Sequence, residues 1–372
     1  MDKKKVLVIT RHAIANYGSL LQAIATQKVV EDLGYDCKVI DYIRKDEYRA
    51  NSTLTIAKTK NKIRKNPILF LLYCLVRFPE NIIINGKFEK MRKRLLPMTK
   101  LVHTKEELKN DLEKADIYMT GSDQVWGPVL YGGYEWAYFL DFVDHNKKKV
   151  AYAASFGKMD IDEPTASRMK KYLSLYDCVA VRENQANKLL GEWGIDSKQV
   201  IDPTLLLNAE DWKKLLNYSD HKNKGKYVLI YQIHNNKKLS LYAESFAKKM
   251  NLPLIRVSSM LHQCFKGGKF VAVPDLTEFL TYINNAAYLV TDSFHGTAFA
   301  INLNTPFVTL MPETGTSARN ISLLELTGLT DQIAKDVDDF HVLDHEVDFT
   351  GANNILETER EKSMCILKAM LL

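Results

Sequence analysis

Short apolar runs alternate with longer amphipathic stretches through most of the 372 residues. The runs have the length of buried strands, and apolar residues in the longer stretches recur with the spacing of helices. Strand, helix and strand in this order are typical of parallel βαβ units. The predicted strands cover residues 6–10, 37–42, 117–120, 149–155, 178–181 and 199–202 in the first half, and 227–233, 254–258, 287–291 and 306–311 in the second.

This order occurs twice, on either side of a polar, lysine-rich stretch at residues 217–226. A chain of this length is long for one hydrophobic core and fits two domains of ordinary size. We therefore predict an α/β protein with two Rossmann-like parallel-sheet domains, residues 1–205 and 206–372, that face each other across a cleft. The predicted terminal helix belongs to the second domain, and it could pack back on the first.

A basic insertion at residues 43–103 breaks the alternation. Residues 58–94 carry eleven lysines and arginines against two glutamates, so this segment alone exceeds the net charge of +6. Three interpretations stay open: helices with their charges in water, a segment that lies on an anionic membrane surface, and a nucleic-acid patch. Residues 67–78 are too apolar for the last, so we expect no nucleic-acid partner.

Composition and cysteine usage restrict the compartment. Hydrophobic residues make up 46% of the chain and charged residues 26%, as in soluble globular proteins. The five cysteines form no CxxC pair, which favours a reducing compartment. The apolar run at residues 6–10 is too short for a signal peptide. We expect a cytoplasmic protein, with a peripheral position at the inner face of the plasma membrane if the insertion binds lipid, and neither a metal nor a cofactor.

The turn after the strand at residues 287–291 carries the most suggestive side chains. Asp292, Ser293, His295 and Gly296 lie between this strand and a helix rich in small residues. Such turns lie at the carboxyl ends of parallel strands, where ligands bind, and N–H groups at a helix N-terminus suit an anion. The alternative is that Asp292 or Ser293 caps the helix and that His295 packs.

Three other strand ends carry candidate ligand groups. Arg182 follows a predicted strand and could bind a phosphate or carboxylate, or else form a surface network with Glu183. The turn near Gly18 and Ser19 could hold an anion, or Ser19 could be an N-cap. After residues 117–120 comes a polar cluster that favours ligand contact, although loop packing alone would explain its tryptophan: Ser122, Asp123, Gln124 and Trp126.

Six sequence blocks occur in an order that resembles the polysaccharide pyruvyl transferase family. They are NYGSLLQAIA (16–25), TGSDQVWGP (120–128), YAASFG (152–157), AVREN (180–184), DPTLLL (202–207) and TDSFHGTAFAINLNTPFV (291–308). The resemblance implies a GT-B-like fold with the active site in the interdomain cleft. It also implies phosphoenolpyruvate as donor and a pair of sugar hydroxyls as acceptor. The product is then a pyruvate ketal on a cell-surface glycan precursor, such as one for capsule or exopolysaccharide.

One departure from the family pattern concerns the donor. Members with ketal transfer often have Arg-Leu-His where this chain has Ser293, Phe294 and His295, and Arg319 could supply the missing cation. The resemblance implies a donor site made of Arg182, Arg319, His295, Gly296, Ser293, Gly18 and Ser19. The acceptor would contact Ser122, Gln124, Trp126 and Asn16, and the catalytic residues would be His295 and Asp123.

Two other functions stay open. One is a GT-B-type glycosyltransferase with a nucleotide-sugar donor. The other is a glycan-binding homologue without turnover, with which Ser293 is consistent. For the pyruvyl transferase, the acceptor could be lipid-linked, and residues 58–94 could then hold the enzyme at the membrane.

Overall fold

The computed structural model describes residues 3–129, 133–157, 159–218, 225–311 and 317–372. The chain divides into two compact units. Unit 1 comprises Met1–Pro203 together with Met364–Leu372, and unit 2 comprises Thr204–Ser363. The sequence places the domain boundary after residue 205, and the division between the units falls after Pro203. Residues 130–132 and 312–316 lie outside the described residues.

Unit 1 contains a six-stranded parallel sheet with the strand order β2-β1-β3-β4-β5-β6. Its strands are β1 Lys5–Ile9, β2 Asp36–Val39, β3 Ile117–Thr120, β4 Lys148–Ala154, β5 Cys178–Val181 and β6 Lys198–Gln199. Helices cover both faces of such a sheet, which explains why the central strands β1, β3, β4 and β5 are largely apolar. The register of β4 with β5 shifts between Ala151 and Ala154, where Ala153 adopts φ 55°.

The helices of unit 1 follow the predicted βα order. They are α1 Tyr17–Asp32, α5 Lys105–Asn110, α6 Glu163–Leu173 and α7 Asn184–Glu192, with a 3₁₀ turn at Trp136–Phe139. The short helix α8, Pro203–Leu206, lies at the division between the units. The terminal helix α14, Thr350–Leu371, ends in unit 1, where the Tyr35 hydroxyl donates to the Leu371 carbonyl oxygen at 2.8 Å.

The basic insertion forms a helical hairpin, made of α2 Ala50–Thr59, α3 Asn61–Arg64 and α4 Pro67–Leu95. The amide of Asn81 on α4 donates to the Thr53 hydroxyl of α2 at 2.6 Å. Nine apolar side chains between residues 68 and 83 are 39% to 71% exposed. The lysines and arginines of residues 58–65 face water, as one of the three interpretations predicts, but these apolar side chains of α4 face water as well.

The base of α4 anchors the hairpin to unit 1. The ring centroid of Phe88 lies 5.1 Å from that of Tyr17, and Arg92 approaches Asp41 at 3.8 Å. By length and composition, α4 is the one helix among the described residues that could cross a membrane. Only 6% of its most apolar 18-residue stretch is buried inside the protein. Arg77 and Glu80 interrupt that stretch.

Unit 2 contains a five-stranded parallel sheet with the strand order β11-β10-β7-β8-β9. Its strands are β7 Val228–Tyr231, β8 Leu254–Ser258, β9 Lys269–Ala272, β10 Tyr288–Thr291 and β11 Phe307–Thr309. Its helices are α9 Ala209–Leu216, α10 Lys237–Lys249, α11 Leu276–Asn284, α12 Phe294–Asn302 and α13 Ala318–Thr327, followed by most of α14. Short 3₁₀ turns lie at Leu261–Phe265, Thr330–Gln332 and His341–Leu343.

The predicted α/β class with parallel sheets is confirmed, and the sequence missed one strand. β9 lies at the edge of its sheet, and none of its four residues is buried, although Phe270, Val271 and Ala272 form a short apolar run that the prediction overlooked. Because every strand in each sheet is parallel, the loops after β1, β3 and β5 share one edge of the first sheet. The turn after β10 lies beside the loop after β7 in the second.

Asn302, at the end of α12, connects three segments of unit 2. Its buried amide nitrogen donates to the carbonyl oxygens of Thr204 at 3.1 Å and Leu207 at 2.8 Å. Its amide oxygen accepts from the Arg360 guanidinium at 2.9 Å. One side chain therefore provides hydrogen-bond partners for polar groups of Thr204, Leu207 and Arg360. Without Asn302, these groups would be removed from water and lack these partners.

We expect Asn302→Ala to lower the free energy of unfolding by about 1–3 kcal/mol, because it leaves these buried groups unsatisfied. Thermal unfolding of the purified protein measures the loss. Asn354→Ala, at an exposed position on α14, is the matched control. Equal melting temperatures for the two variants would contradict the assignment.

Candidate functional site

The N-terminus of α1 lies against the turn after β3 in unit 1. Asn16 is the N-cap of α1, and its side-chain oxygen accepts from the N–H of Gly18 at 2.8 Å. The Ser19 hydroxyl donates to the Asp123 carboxylate at 2.5 Å. The structure therefore brings four of the predicted site residues together. It assigns the N-cap to Asn16, whereas the sequence suggested Ser19.

Asp123 is held in a sparsely populated backbone conformation with φ 75°, which aspartate tolerates better than most residues. Its side chain also accepts from the N–H of Gln124 at 2.8 Å. Gln124 in turn lies against Gly157, which has φ +71°. A Cβ at position 157 would lie 2.7 Å from the Gln124 amide nitrogen. The glycine of the YAASFG block is therefore required both by its backbone conformation and by this close approach.

Arg182 lies in a buried network of carboxylates. Its Nε donates to Glu183 at 3.0 Å, and its Nη1 donates to Asp202 at 2.5 Å. The Ser122 hydroxyl donates to the same Asp202 oxygen at 3.0 Å. The predicted contact between Arg182 and Glu183 thus exists, but it is buried and not at the surface. Asp202 was not among the predicted site residues, although it opens the DPTLLL block.

The electrostatic surroundings fix the charge of Arg182. Burial alone would lower the pKa of its guanidinium, but the carboxylates of Glu183, Asp202 and Asp123 outweigh burial and raise it. Arg182 therefore stays protonated at every working pH. Within this group of four side chains, three anions surround one cation, so a bound anionic ligand would require further positive charge.

Trp126 is a core residue. It is fully buried, its indole N–H donates to the Tyr138 carbonyl oxygen at 3.2 Å, and its ring stacks on Phe139 with centroids 5.6 Å apart. Its ring centroid also lies 5.2 Å from that of Phe156. Loop packing, the alternative that the sequence left open, accounts for this placement. The predicted contact of Trp126 with an acceptor sugar would need an accessible face of the ring.

The sequence missed a buried histidine–aspartate pair at the same edge of the sheet. The His12 Nε2 atom lies 3.0 Å from the Asp41 carboxylate, and its Nδ1 atom lies 3.0 Å from the Thr10 carbonyl oxygen. Burial alone would raise the pKa of Asp41, but the bond to His12 and the charge of Arg92 outweigh burial and lower it. His12 follows the strand predicted at residues 6–10, and Asp41 lies at the end of the strand predicted at residues 37–42, a signal that could have identified them.

In unit 2, α12 begins at Phe294, so His295 and Gly296 lie in its first turn and not in a loop before it. Ser293 is the N-cap, and its hydroxyl oxygen accepts from the Gly296 N–H at 3.2 Å. The cap interpretation is thus confirmed for Ser293. Asp292 has another role, because its carboxylate accepts from the N–H groups of Ile233 at 2.9 Å and His234 at 3.3 Å, which fixes the loop after β7.

Gly296 permits a close approach of α12 to the sheet. A Cβ at this position would lie 2.6 Å from the Thr291 hydroxyl and 3.1 Å from a ring carbon of Tyr231. The Thr291 hydroxyl itself donates to the Tyr231 carbonyl oxygen at 2.7 Å, so it cannot move away without losing that bond. The glycine of the His-Gly pair is required by packing. The N–H groups of Gly18 and Gly296, predicted to bind the donor, each have an acceptor within the chain.

Arg319 lies close to the position where the family pattern has an additional arginine. Its guanidinium carbon is 5.9 Å from the centre of the Phe294 ring. That ring meets the imidazole of His295 edge-on, with centroids 5.1 Å apart. His295 is buried, at 5% exposure. The structure therefore brings Arg319, Phe294 and His295 together, although Arg319 is distant from the other two in sequence.

A second group of cations in unit 2 was not predicted. The side-chain oxygen of Gln232, just after β7, accepts from Arg256 at 3.3 Å, Lys266 at 3.2 Å and the Ser240 hydroxyl at 2.9 Å. Burial, then the neighbouring Arg256, lowers the pKa of Lys266. Burial also lowers the pKa of Arg256, against the influence of Glu244. No group of three or more His, Cys, Asp or Glu residues that could hold a metal ion occurs in the described part of the chain.

Two parallel α/β units with polar turns at the carboxyl ends of their strands define a protein of the GT-B type. Solved structures agree with this fold. UDP-N-acetylglucosamine 2-epimerase from Rickettsia bellii matches at a TM-score of 0.53 and 15% identity, over 98% of this chain and 96% of that chain. The Methanocaldococcus jannaschii enzyme in complex with UDP-GlcNAc and UDP matches at 0.51 and 14%, over 99% of both chains. Such low identity shows the fold alone.

Residues 16–313 match the family model described as polysaccharide pyruvyl transferase. The chain belongs to this family, as its six sequence blocks suggested, and it is therefore a transferase of polysaccharide biosynthesis. No curated protein sequence gives a significant match.

Gly296→Ala should lower the free energy of unfolding by about 1–3 kcal/mol, because the added methyl group overpacks α12 against β10. Differential scanning calorimetry checks this. Gly351→Ala on α14, where a Cβ meets open space, should leave stability unchanged or raise it. If the two variants melt alike, the close approach does not constrain α12.

Arg182→Met should destabilise the protein by about 3–5 kcal/mol, because it leaves Glu183 and Asp202 buried without their cation. Adding Glu183→Gln and Asp202→Asn should recover part of the loss by removing the uncompensated charges. Chemical denaturation measures both effects. Lys171→Met, at an exposed cation on α6, is the control, and a neutral effect of Arg182→Met would refute the buried network.

Proposed function

We propose that this enzyme transfers the pyruvyl group of phosphoenolpyruvate to two hydroxyls of a sugar in a cell-surface polysaccharide precursor, forming a pyruvate ketal. The observation that carries the proposal is the family match across residues 16–313. Arg182 and His295 stand where the family pattern has them. The reaction needs no cofactor or metal in this proposal, and it takes place in the cytoplasm, where phosphoenolpyruvate is made.

The bond changes define what the residues must do. The methylene carbon of the donor gains a proton, its central carbon forms bonds to two sugar oxygens, and the bond from that carbon to the phosphate oxygen breaks. The two hydroxyl protons balance the protonated methyl group and the released phosphate. The site must therefore deliver one proton, accept others and stabilise the departing phosphate.

His295 is assigned to the donor, either as the acid or as a hydrogen-bond donor to the phosphate. An imidazole can donate a hydrogen bond or a proton, so it can fill either role. Arg319, which lies against Phe294, supplies a cation in place of the arginine that Ser293 replaces. Lys266 offers further positive charge in the same unit, because it lies near the loop that Asp292 fixes.

In unit 1, the proposal gives roles to Asp123 and Arg182. Asp123 binds or deprotonates the acceptor, and its bonds to Ser19 and Gln124 hold the carboxylate in one orientation. Ser122, Gln124 and Asn16 are the other acceptor contacts in this proposal. Arg182 contributes a permanent charge in a fixed position, which suits the planar carboxylate of the donor. The anions around Arg182 are the reason why the proposal also requires Arg319.

The competing function is glycosyl transfer from a nucleotide sugar. The Methanocaldococcus jannaschii epimerase, whose fold is similar, was solved with UDP-GlcNAc and UDP. A glycan-binding protein without turnover is the other competitor. A nucleotide-sugar enzyme should be stabilised against heat by UDP, whereas the proposed enzyme should not.

The experiment is a phosphate-release assay with phosphoenolpyruvate and candidate saccharides, free and lipid-linked. We expect one phosphate to be released for each molecule of ketal product, which mass spectrometry identifies. Release of UDP from a nucleotide sugar in place of phosphate would establish the first competitor. Binding of saccharide without any phosphate release would establish the second.

His295→Asn should lower the rate of phosphate release by about 10²- to 10⁴-fold, as expected for loss of an acid or of a phosphate contact. The control is His345→Asn, at an exposed histidine of unit 2. Melting temperatures are measured in parallel, because His295 is buried. Wild-type turnover in a folded His295→Asn protein would remove His295 from the reaction.

A further inference from the structure

The exposed end of the helical hairpin combines two features that are rarely found together on a protein surface. One is the row of exposed apolar side chains on α4, namely Ile68, Leu69, Leu71, Leu72, Leu75, Val76, Phe78, Ile82 and Ile83. The other is the positive charge of residues 58–65, a segment that contains no aspartate or glutamate. Patches of this kind mark interaction sites, because isolated soluble proteins seldom expose so much contiguous apolar surface.

The inner side of α4 is already used by the hairpin itself. The Lys60 ammonium lies 4.9 Å from the centre of the Tyr73 ring, and Asn81 bonds to Thr53. Phe70, Tyr73, Cys74 and Arg77 are partly buried on this side. The apolar row therefore lies on the opposite side of the helix, and no segment among the described residues covers it.

The charge around the row is mostly positive, because its one acid, Glu80, is paired with Arg77. Residues 48–79 contain no aspartate or glutamate and seven cations, which are Arg49, Lys58, Lys60, Lys62, Arg64, Lys65 and Arg77. The five between residues 58 and 65 are exposed at or near the turn of the hairpin. Lysine and arginine beside an apolar face match the chemistry of an anionic lipid surface, where the apolar groups enter the acyl region and the cations meet the headgroups.

The dimensions of the hairpin favour contact over crossing. From Asn81 to Asn66 the helix extends roughly 22 Å at 1.5 Å per residue. The return arm α2 has ten residues, about 15 Å, against a hydrocarbon core of about 30 Å. A crossing hairpin would need two long apolar arms, and it would also have to carry the five cations of its turn through the bilayer.

Two other occupants fit the surface less well. A second copy of this chain, paired through the same face, would bring seven cations against seven more. A nucleic acid would match the charge but would leave the apolar row in water, with no group to contact it. Charge and hydrophobicity together favour lipid.

We propose that the exposed face of α4, with the cations of residues 58–65, docks the protein peripherally on anionic phospholipid. The hairpin lies in the interface, and the base of α4, held by Phe88 and Arg92, transmits the attachment to unit 1. This proposal does not rest on the proposed function. If both hold, docking would bring the enzyme to acceptors carried on lipids.

The test is co-sedimentation of the full chain with vesicles of phosphatidylglycerol and phosphatidylcholine, compared with phosphatidylcholine alone. We expect binding to the first, weakened by salt, and little binding to the second. Lys62→Gln, Arg64→Gln and Lys65→Gln together should weaken binding roughly 100-fold. Leu72→Ser, Leu75→Ser and Val76→Ser together should weaken it by roughly 10-fold or more.

Matched controls are surface changes in unit 2. They are Leu241→Ser with Phe265→Ser for the apolar set, and Lys213→Gln, Lys214→Gln and Lys248→Gln for the charged set, all at exposed positions. Both should bind like the wild type, and melting temperatures should show that every variant is folded.

Four results would overturn the proposal. Equal binding to both kinds of vesicle would remove the role of lipid charge. Binding that the apolar variant retains and the charged variant loses would indicate general affinity for polyanions. A dimer in sedimentation velocity that the apolar variant disrupts, with no vesicle binding, would assign the face to a second copy. Resistance to extraction by alkaline carbonate would indicate a crossing helix. None of these readouts depends on phosphoenolpyruvate, so failure here leaves the proposed reaction untouched.

Discussion

The ion pair between Arg182 and Asp202 joins the ends of several strands in unit 1. Arg182 follows β5, Asp202 follows β6, and Ser122, which bonds to the same Asp202 oxygen, follows β3. A buried guanidinium is costly unless carboxylates and hydrogen bonds compensate it. This requirement explains why side chains from three separate sequence blocks meet in one network. The turn after β3, the end of β5 and the residue before α8 are connected by it, and the charge of Asp123 also acts on Arg182.

Unit 2 organises its corresponding edge by different means. The main-chain N–H groups of Ile233 and His234 donate to the carboxylate of Asp292. Helix α12 approaches the sheet closely because position 296 has no side chain. Close packing and main-chain hydrogen bonds therefore fix the first turn of α12. The positive charge near this turn comes from Arg319, which lies on α13. Unit 2 also buries a cation, Arg256, against the side-chain oxygen of Gln232.

The sequence predicted the strands and their polar ends well, because buried parallel strands are short apolar runs and their turns are polar. It predicted less about what each polar group does there. Gly18 and Gly296 look like donors to an anion, but a cap residue three or fewer positions away accepts their N–H groups. Trp126 looks accessible in a polar turn and is buried by residues distant in sequence. Composition showed that residues 58–94 are basic, whereas only the packing of α4 on α2 decided which side chains face water.

Ala153 and Asp123 adopt left-handed backbone conformations on neighbouring strand ends, where Asp123 forms a bridge with Ala154. Such conformations cost roughly 1–3 kcal/mol each and persist only where the surroundings over-determine them. The edge of unit 1 that carries Asp123 is therefore held at higher energy than the strands behind it. A relaxation of either conformation would therefore move the Asp123 carboxylate while the strands behind it stay paired, and circular dichroism, which reports secondary structure, would not register the change.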